Sequence, residues 1–112
     1  MSRTIEAVGD AHAAASQRRS EGRPLWDEVI NLPKAMLDLD EYSNGEAIRD
    51  LAAQAAKTLR ESSWVKNAPS SDTALLYAVE VLEETYDIDE LNDALNQLYD
   101  LGDVDRVFIT FA

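Results

Sequence analysis

Apolar residues recur every three to four positions along much of this chain, which is the spacing of amphipathic helices. Residues 4–19 show this spacing, and Gly22 and Pro24 then prevent the predicted helix from continuing. A second helix is predicted to begin at a capping box formed by Ser43 and Glu46. Its apolar face consists of Ile48, Leu51, Ala52, Ala55, Ala56 and Leu59. Because its other positions carry charges of both signs, we interpret this second helix as scaffold.

Two more helices are predicted in the C-terminal half of the chain. The first covers residues 72–87, after a turn at residues 69–71 that supplies its N-cap. The second covers residues 89–101 and is predicted to end at Gly102. The residues expected to face the core are Leu75, Ala78, Val79, Leu82 and Tyr86 in the first of these helices, and Leu91, Ala94, Leu95, Leu98 and Leu101 in the second.

Two short segments have the composition of β-strands. Residues 25–32 are rich in aromatic and β-branched residues between two prolines, and residues 104–111 form an apolar run. A helical turn is expected at residues 34–39. Because an unpaired edge carrying Phe108 and Phe111 would invite aggregation, we expect the strands to pair antiparallel or to form a dimer seam. The predicted fold class is α+β, mostly α, with about four helices and a short two-stranded antiparallel β element.

The chain is long enough for one hydrophobic core and too short for two. With 112 residues, of which 46% are apolar, it is predicted to fold as a single domain, 1–112. Within it we expect an N-terminal helix and turn at 1–24, a strand and the scaffold helix at 25–66, and an acidic helix pair with the C-terminal strand at 67–112.

The negative charge is concentrated in the C-terminal part. Residues 67–112 contain eleven acidic residues and one basic residue, whereas residues 1–66 contain eleven and nine, within a net charge of −12. Between Lys66 and Arg106 there is no Lys, Arg or His. An electrostatic field of one sign and this size repels nucleic acid and anionic membranes and attracts basic protein surfaces. We therefore expect a basic protein as partner, and direct binding to neither nucleic acid nor membrane.

The carboxylates of the two C-terminal helices are spaced to form an acidic face on each. Like charges three or four positions apart on a helix are separated by about 5–6 Å and destabilise it. Asp87 and Asp100 are also predicted near helix C-termini, where the helix dipole disfavours negative charge. Acids at locally unfavourable positions indicate a constraint from outside the fold. The candidate partner-binding residues are Glu80, Glu83, Glu84, Asp87, Asp89, Asp93 and Asp100, with Tyr77 and Tyr99 as aromatic anchors.

Several functional classes lack the residues that they require. The chain has no cysteine and one histidine, which removes disulfide frameworks, thiolate nucleophiles and most zinc sites. Calcium loops starting at Asp38, Asp87 or Asp103 fail because ligand positions are occupied by residues such as Tyr, Leu and Val. With no phosphate loop and no nucleophile beside a base, no enzyme, cofactor or metal is predicted. The enzymatic alternative is a carboxylate pair such as Asp87 and Asp89 in acid–base catalysis or Mg²⁺ binding. No leader or membrane-spanning run is recognised, which predicts a cytoplasmic protein.

The leading functional hypothesis is a non-enzymatic protein-binding module. Its negative helical face would dock on a basic, nucleic-acid-binding partner as a decoy for DNA, because a groove built for phosphates also accepts rows of carboxylates. In size, acidity and lack of catalytic motifs, the chain resembles phage-encoded inhibitors of host defence, such as anti-CRISPR and anti-restriction DNA mimics. That resemblance implies action in a host cytoplasm. Residues 11–27 also resemble uncharacterised small proteins of actinobacteria and their phages, which imply no function.

Two alternatives keep the acidic face and change its purpose. An antitoxin or regulatory subunit would use it against one cognate basic protein, although only Arg18, Arg19 and Arg23 could then contact an operator. A salt-adapted acidic scaffold would use its carboxylates for solubility and would have no specific partner that recognises its charge. The nearly balanced charge of residues 1–66 argues against this second alternative.

Overall fold

The computed structural model describes residues 26–112, which form mostly helices and one small sheet. The elements in chain order are the strand β1 (Glu28–Leu32), a 3₁₀ helix (Lys34–Asp38), the helices α1 (Gly45–Glu61), α2 (Ser63–Lys66), α3 (Thr73–Glu84) and α4 (Ile88–Asp105), and the strand β2 (Val107–Phe111). This confirms the mostly helical class with a two-stranded sheet. The helix predicted at residues 4–19 lies outside the described residues.

The two strands are parallel, so the predicted antiparallel pairing is wrong. The register aligns Glu28 with Val107 and Leu32 with Phe111. Parallel strands require a crossover of about a dozen residues or more. Residues 33–106 provide one that consists largely of helices. Because this crossover returns the chain to the end of the sheet at which β1 begins, β2 runs in the same direction as β1.

The helix α1 begins one residue later than its sequence signal predicted. Its N-cap is Asn44, whose side chain accepts a hydrogen bond from the Glu46 amide at 2.8 Å. Ser43 instead accepts a hydrogen bond from the Asp40 amide in the preceding turn, at 3.0 Å. The capping box predicted at Ser43 is therefore wrong, although the helix itself is present. Its buried residues are Ile48, Ala52, Ala55, Ala56 and Leu59.

The helix α3 is shorter than predicted at both ends. Its N-cap is Asp72, which accepts from the Leu75 amide at 3.4 Å, and neither Ser70 nor Ser71 has that role. It ends at Glu84, so Tyr86 lies beyond the helix and is 53% exposed instead of facing the core. The buried residues are Leu75, Ala78, Val79 and Leu82.

The helix α4 continues past Gly102, which the sequence had indicated as its end. It reaches Asp105, and its C-cap is Arg106 in the left-handed conformation, with φ of 62°. Gly102 is buried inside the helix, where an added Cβ would lie 2.7 Å from the carbonyl oxygen of Val107. The glycine is therefore explained by the close approach of the backbone at the start of β2, and not by helix termination.

The core lies between the sheet and the helices. α1 packs against α3, α3 against α4, and α4 against β2. The largest fully buried side chains include Leu32, Met36, Leu59, Leu75, Leu82, Leu91, Leu95, Leu98 and Ile109. Among residues 26–112, no helix combines the length and the apolarity that crossing a membrane requires.

Candidate functional site

An open groove of about 200 Å³ lies between α3 and α4. The two helices form a hairpin because only residues 85–87 separate them. The groove is lined by Tyr77, Ala78 and Val81 from α3 and by Glu90, Asp93, Ala94 and Gln97 from α4. Its lining combines small apolar residues with two carboxylates, and residues 26–112 contribute no lysine or arginine to it.

Tyr77 is the exposed aromatic residue of this groove. Its side chain is 62% exposed, although it lines the groove wall. Tyr99, the other predicted anchor, is packed against the core, and this burial raises the pKa of its phenol above the ordinary value. Tyr99 is also absent from the lining of the groove. The structure therefore offers Tyr77 to a partner more readily than it offers Tyr99.

Glu83 lies on the side of α3 that faces α1. Its carboxylate forms an ion pair with the Arg60 guanidinium of α1. The hydrogen bond that Arg60 donates to Glu83 raises the pKa of Arg60, and the charges of Glu83 and Glu80 raise it further. A basic residue absent from the acidic stretch of sequence is thus brought to α3 by the tertiary fold. Glu83 is therefore partly neutralised within the protein.

Asp87 has a structural role at the start of α4. It is the N-cap, and its carboxylate accepts a hydrogen bond from the Glu90 amide at 3.1 Å. The prediction that Asp87 lies near a helix C-terminus is therefore wrong, because α3 ends before it. Glu90 accepts in turn from the buried Thr85 hydroxyl at 3.0 Å. This network holds the loop between α3 and α4 and fixes one wall of the groove.

The remaining predicted acids are exposed at the surface of the hairpin. Glu80 and Glu84 follow Tyr77 at helical spacings of three and seven residues, which places all three on one side of α3. On α4, Asp89, Asp93 and Asp100 are also exposed. Asp93 lines the groove itself. Because α4 continues to Asp105, Asp100 lies before the last turn, and the expected dipole penalty belongs to Asp103 and Asp105 instead.

Glu28 and Asp105 were not predicted as site residues, and both have partners within the chain. They lie at the end of the sheet where both strands begin, which we call the sheet end. Glu28 on β1 accepts from the amides of Ser63 and Trp64 at 3.2 and 3.0 Å, which satisfies the N-terminus of α2. Asp105 accepts from the Trp64 indole nitrogen at 2.9 Å. Both acids are therefore explained by contacts within the chain.

The sequence interpretation missed most of the groove lining. Five residues that line the groove beside Tyr77 were not predicted as site residues: Ala78, Val81, Glu90, Ala94 and Gln97. A signal was present: Tyr77 and Val81 are four residues apart, as are Glu90 and Ala94, on either side of a short connection. An antiparallel helix pair brings such rows together.

No metal-binding cluster is found in the described part of the chain. Residues 26–112 contain no cluster of three or more acidic or histidine side chains that could hold a metal ion. Comparison of the chain with protein-family models, with curated proteins and with solved structures found no match.

Proposed function

We propose that this protein is a non-enzymatic module that binds a basic protein through the outer surface of the α3–α4 hairpin. The observation that carries this proposal is the groove, which has an exposed Tyr77 and the carboxylates of Glu90 and Asp93, and to which the described residues contribute no basic side chain. Aromatic residues surrounded by charged groups are typical of protein interfaces, where the aromatic residue supplies much of the binding energy. The carboxylates direct a basic partner toward it.

Glu83 and Asp87 have contacts within the protein, and this reduces the set of acids that the proposed surface can offer to a partner. Glu83 is paired with Arg60 and Asp87 caps α4. The acids available to a partner are accordingly Glu80, Glu84, Asp93 and Asp100. A nucleic-acid-binding protein is the proposed kind of partner, because its basic surface is built for closely spaced phosphates and also attracts carboxylates in such a group.

The proposal is tested with two charge-reversed variants of equal net charge. The site variant changes Glu80, Glu84, Asp93 and Asp100 to Lys. The control variant changes Asp38, Glu41, Asp50 and Glu61 to Lys, all of which are exposed and lie on or before α1. Circular dichroism establishes that each variant keeps its helices.

Proteins retained from a host lysate by the wild-type chain are then purified, and their affinities are measured by isothermal titration calorimetry. We expect the site variant to bind at least about tenfold more weakly and the control variant to stay within about threefold of wild type. Equal loss in both variants would show that only net charge matters and would contradict a specific docking surface.

A further inference from the structure

We propose that the α3–α4 groove is the seat for an arginine side chain of the basic partner, an inference that rests on the proposed function and specifies its central contact. The volume of about 200 Å³ is one reason. Pockets for small molecules and cofactors usually measure about 300–1,000 Å³. A groove smaller than this, open to solvent and with no basic residue among the described residues that line it, suits one long cationic side chain of a protein.

The lining of the groove matches the two parts of an arginine. The apolar groups of Ala78, Val81 and Ala94 provide a floor for the methylene stem, which arginine buries readily while its charged end stays near water. The ring of Tyr77 offers a face for the planar guanidinium, and the carboxylate of Asp93 accepts its hydrogen bonds.

Glu90 and Asp93 contribute differently to this site. The Thr85 hydroxyl lies within hydrogen-bond distance of both Oε1 of Glu90 and the carbonyl oxygen of Asp87, and its shared proton helps to orient the Glu90 carboxylate. Asp93 makes no hydrogen bond or ion pair to any other residue of the part of the chain that the structure describes. Its charge is therefore available to a ligand, while that of Glu90 is oriented beforehand.

Two arginines of this protein already contact the same two kinds of group that line the groove, a carboxylate and an aromatic ring. Arg60 pairs with Glu83 on the opposite side of α3. Arg49 lies over the ring of Tyr86, 5.4 Å from its centroid, near the loop that joins α3 to α4. Carboxylate pairing and ring contact by arginine are thus both present around the hairpin, and the groove combines the two groups without a cation from residues 26–112.

Arginine is preferred to lysine for geometric reasons. The guanidinium is planar, stacks on an aromatic face and donates several hydrogen bonds in a fixed fork, whereas the ammonium of lysine is a compact and strongly hydrated charge. A site that used only net negative charge would not distinguish between them. Loss of the discrimination between two peptides of equal charge when the Tyr77 ring is removed therefore separates the groove from the general acidic field.

The test uses capped hexa-arginine and hexa-lysine peptides as probes, titrated into the ¹⁵N-labelled full chain and followed by NMR. We expect hexa-arginine to bind about threefold or more tighter than hexa-lysine. The largest amide shifts should appear at Tyr77, Val81, Asp93 and Ala94. Tyr77→Leu keeps an apolar side chain and should remove the preference for arginine. Asp93→Asn should weaken hexa-arginine binding about threefold or more.

Asp50→Asn is the matched control, because it removes one exposed carboxylate from α1. It should leave the preference for arginine unchanged. Equal affinities of the two peptides for wild type, with no effect of Tyr77→Leu, would overturn the arginine seat. If the four-site charge-reversed variant nevertheless loses both peptides while the control variant of equal net charge keeps them, the proposed acidic docking surface stands without that seat. If that variant binds both peptides as wild type does, both proposals are overturned.

Discussion

The sheet end of the molecule and the α3–α4 groove both contain carboxylates, but they use them in opposite ways. At the sheet end, Glu28 and Asp105 accept hydrogen bonds from Trp64 and its neighbour. At the groove, Asp93 has no such partner within residues 26–112. A carboxylate held by backbone amides stabilises the fold, whereas a carboxylate at an exposed groove is available for binding.

This difference shows that counting acids does not locate a binding surface. The C-terminal half has a large excess of carboxylates, yet several of them cap helices or pair within the chain. The acids that matter for a partner are those left over after such contacts are subtracted. The comparison predicts that substitutions at the sheet end lower stability and that substitutions at the groove lower binding.

The largest effect on stability is expected from Gly102→Ala. The new Cβ would lie 2.7 Å from the Val107 carbonyl oxygen, a backbone atom that cannot move without displacing β2. We expect the free energy of unfolding to fall by about 1–3 kcal/mol, the usual cost of overpacking. Urea unfolding followed by circular dichroism measures it. Gly45→Ala is the control, because its Cβ would meet Tyr86 at 3.4 Å or more. Equal stability of Gly102→Ala and wild type would show that the helix end is not tightly packed against the sheet.

A smaller loss is expected from Glu28→Ala. The substitution leaves the Ser63 and Trp64 amides without their acceptor, and losing such a helix cap costs about 0.5–2 kcal/mol. Glu28→Gln keeps one acceptor oxygen and should lose less. Thermal unfolding of the three proteins ranks them. If Glu28→Ala is as stable as wild type, the sheet end does not depend on this carboxylate, and the contrast with the groove disappears.

The smallest change in stability is expected from Arg60→Ala. Its ion pair with Glu83 is close to half exposed on both sides, so its net contribution is about 0–1 kcal/mol. The substitution also removes a positive charge beside the acidic hairpin. Hexa-arginine should therefore bind somewhat more tightly than to wild type, as measured by the same NMR titration. Lys57→Ala removes a charge elsewhere on α1 and serves as the control. Weaker binding by Arg60→Ala would mean that Arg60 itself supports the docking surface.

Periodicity predicted the helices more reliably than it predicted their ends. The apolar positions of α1, α3 and α4 were recognised, because burial of one face leaves a regular trace in the sequence. The end of α4 was missed because Gly102 resembles a helix stop, while the actual stop is Arg106 with positive φ. The sequence does not distinguish a glycine that is required because another backbone segment approaches closely from a glycine that is required by a turn.

The candidate site was predicted only in part. The exposure of Glu80, Glu84 and Asp93 agrees with the predicted acidic face. The involvement of Glu83 and Asp87 in internal contacts was not foreseen, because one partner comes from α1 and the other depends on where α3 ends. The groove itself needs two helices side by side, which a helix-by-helix interpretation does not contain.

Within residues 26–112, the sequence alone determined the three long helices, most of the positions that they bury and the acidity of the C-terminal half. These properties depend on neighbours within one or two helical turns. Only the tertiary structure decided the parallel direction of the strands, the internal partners of the carboxylates and the groove beside Tyr77. Each of these depends on residues far apart in the chain, such as Glu28 and Trp64, which are separated by 36 positions. Local sequence patterns do not indicate which distant groups will come into contact.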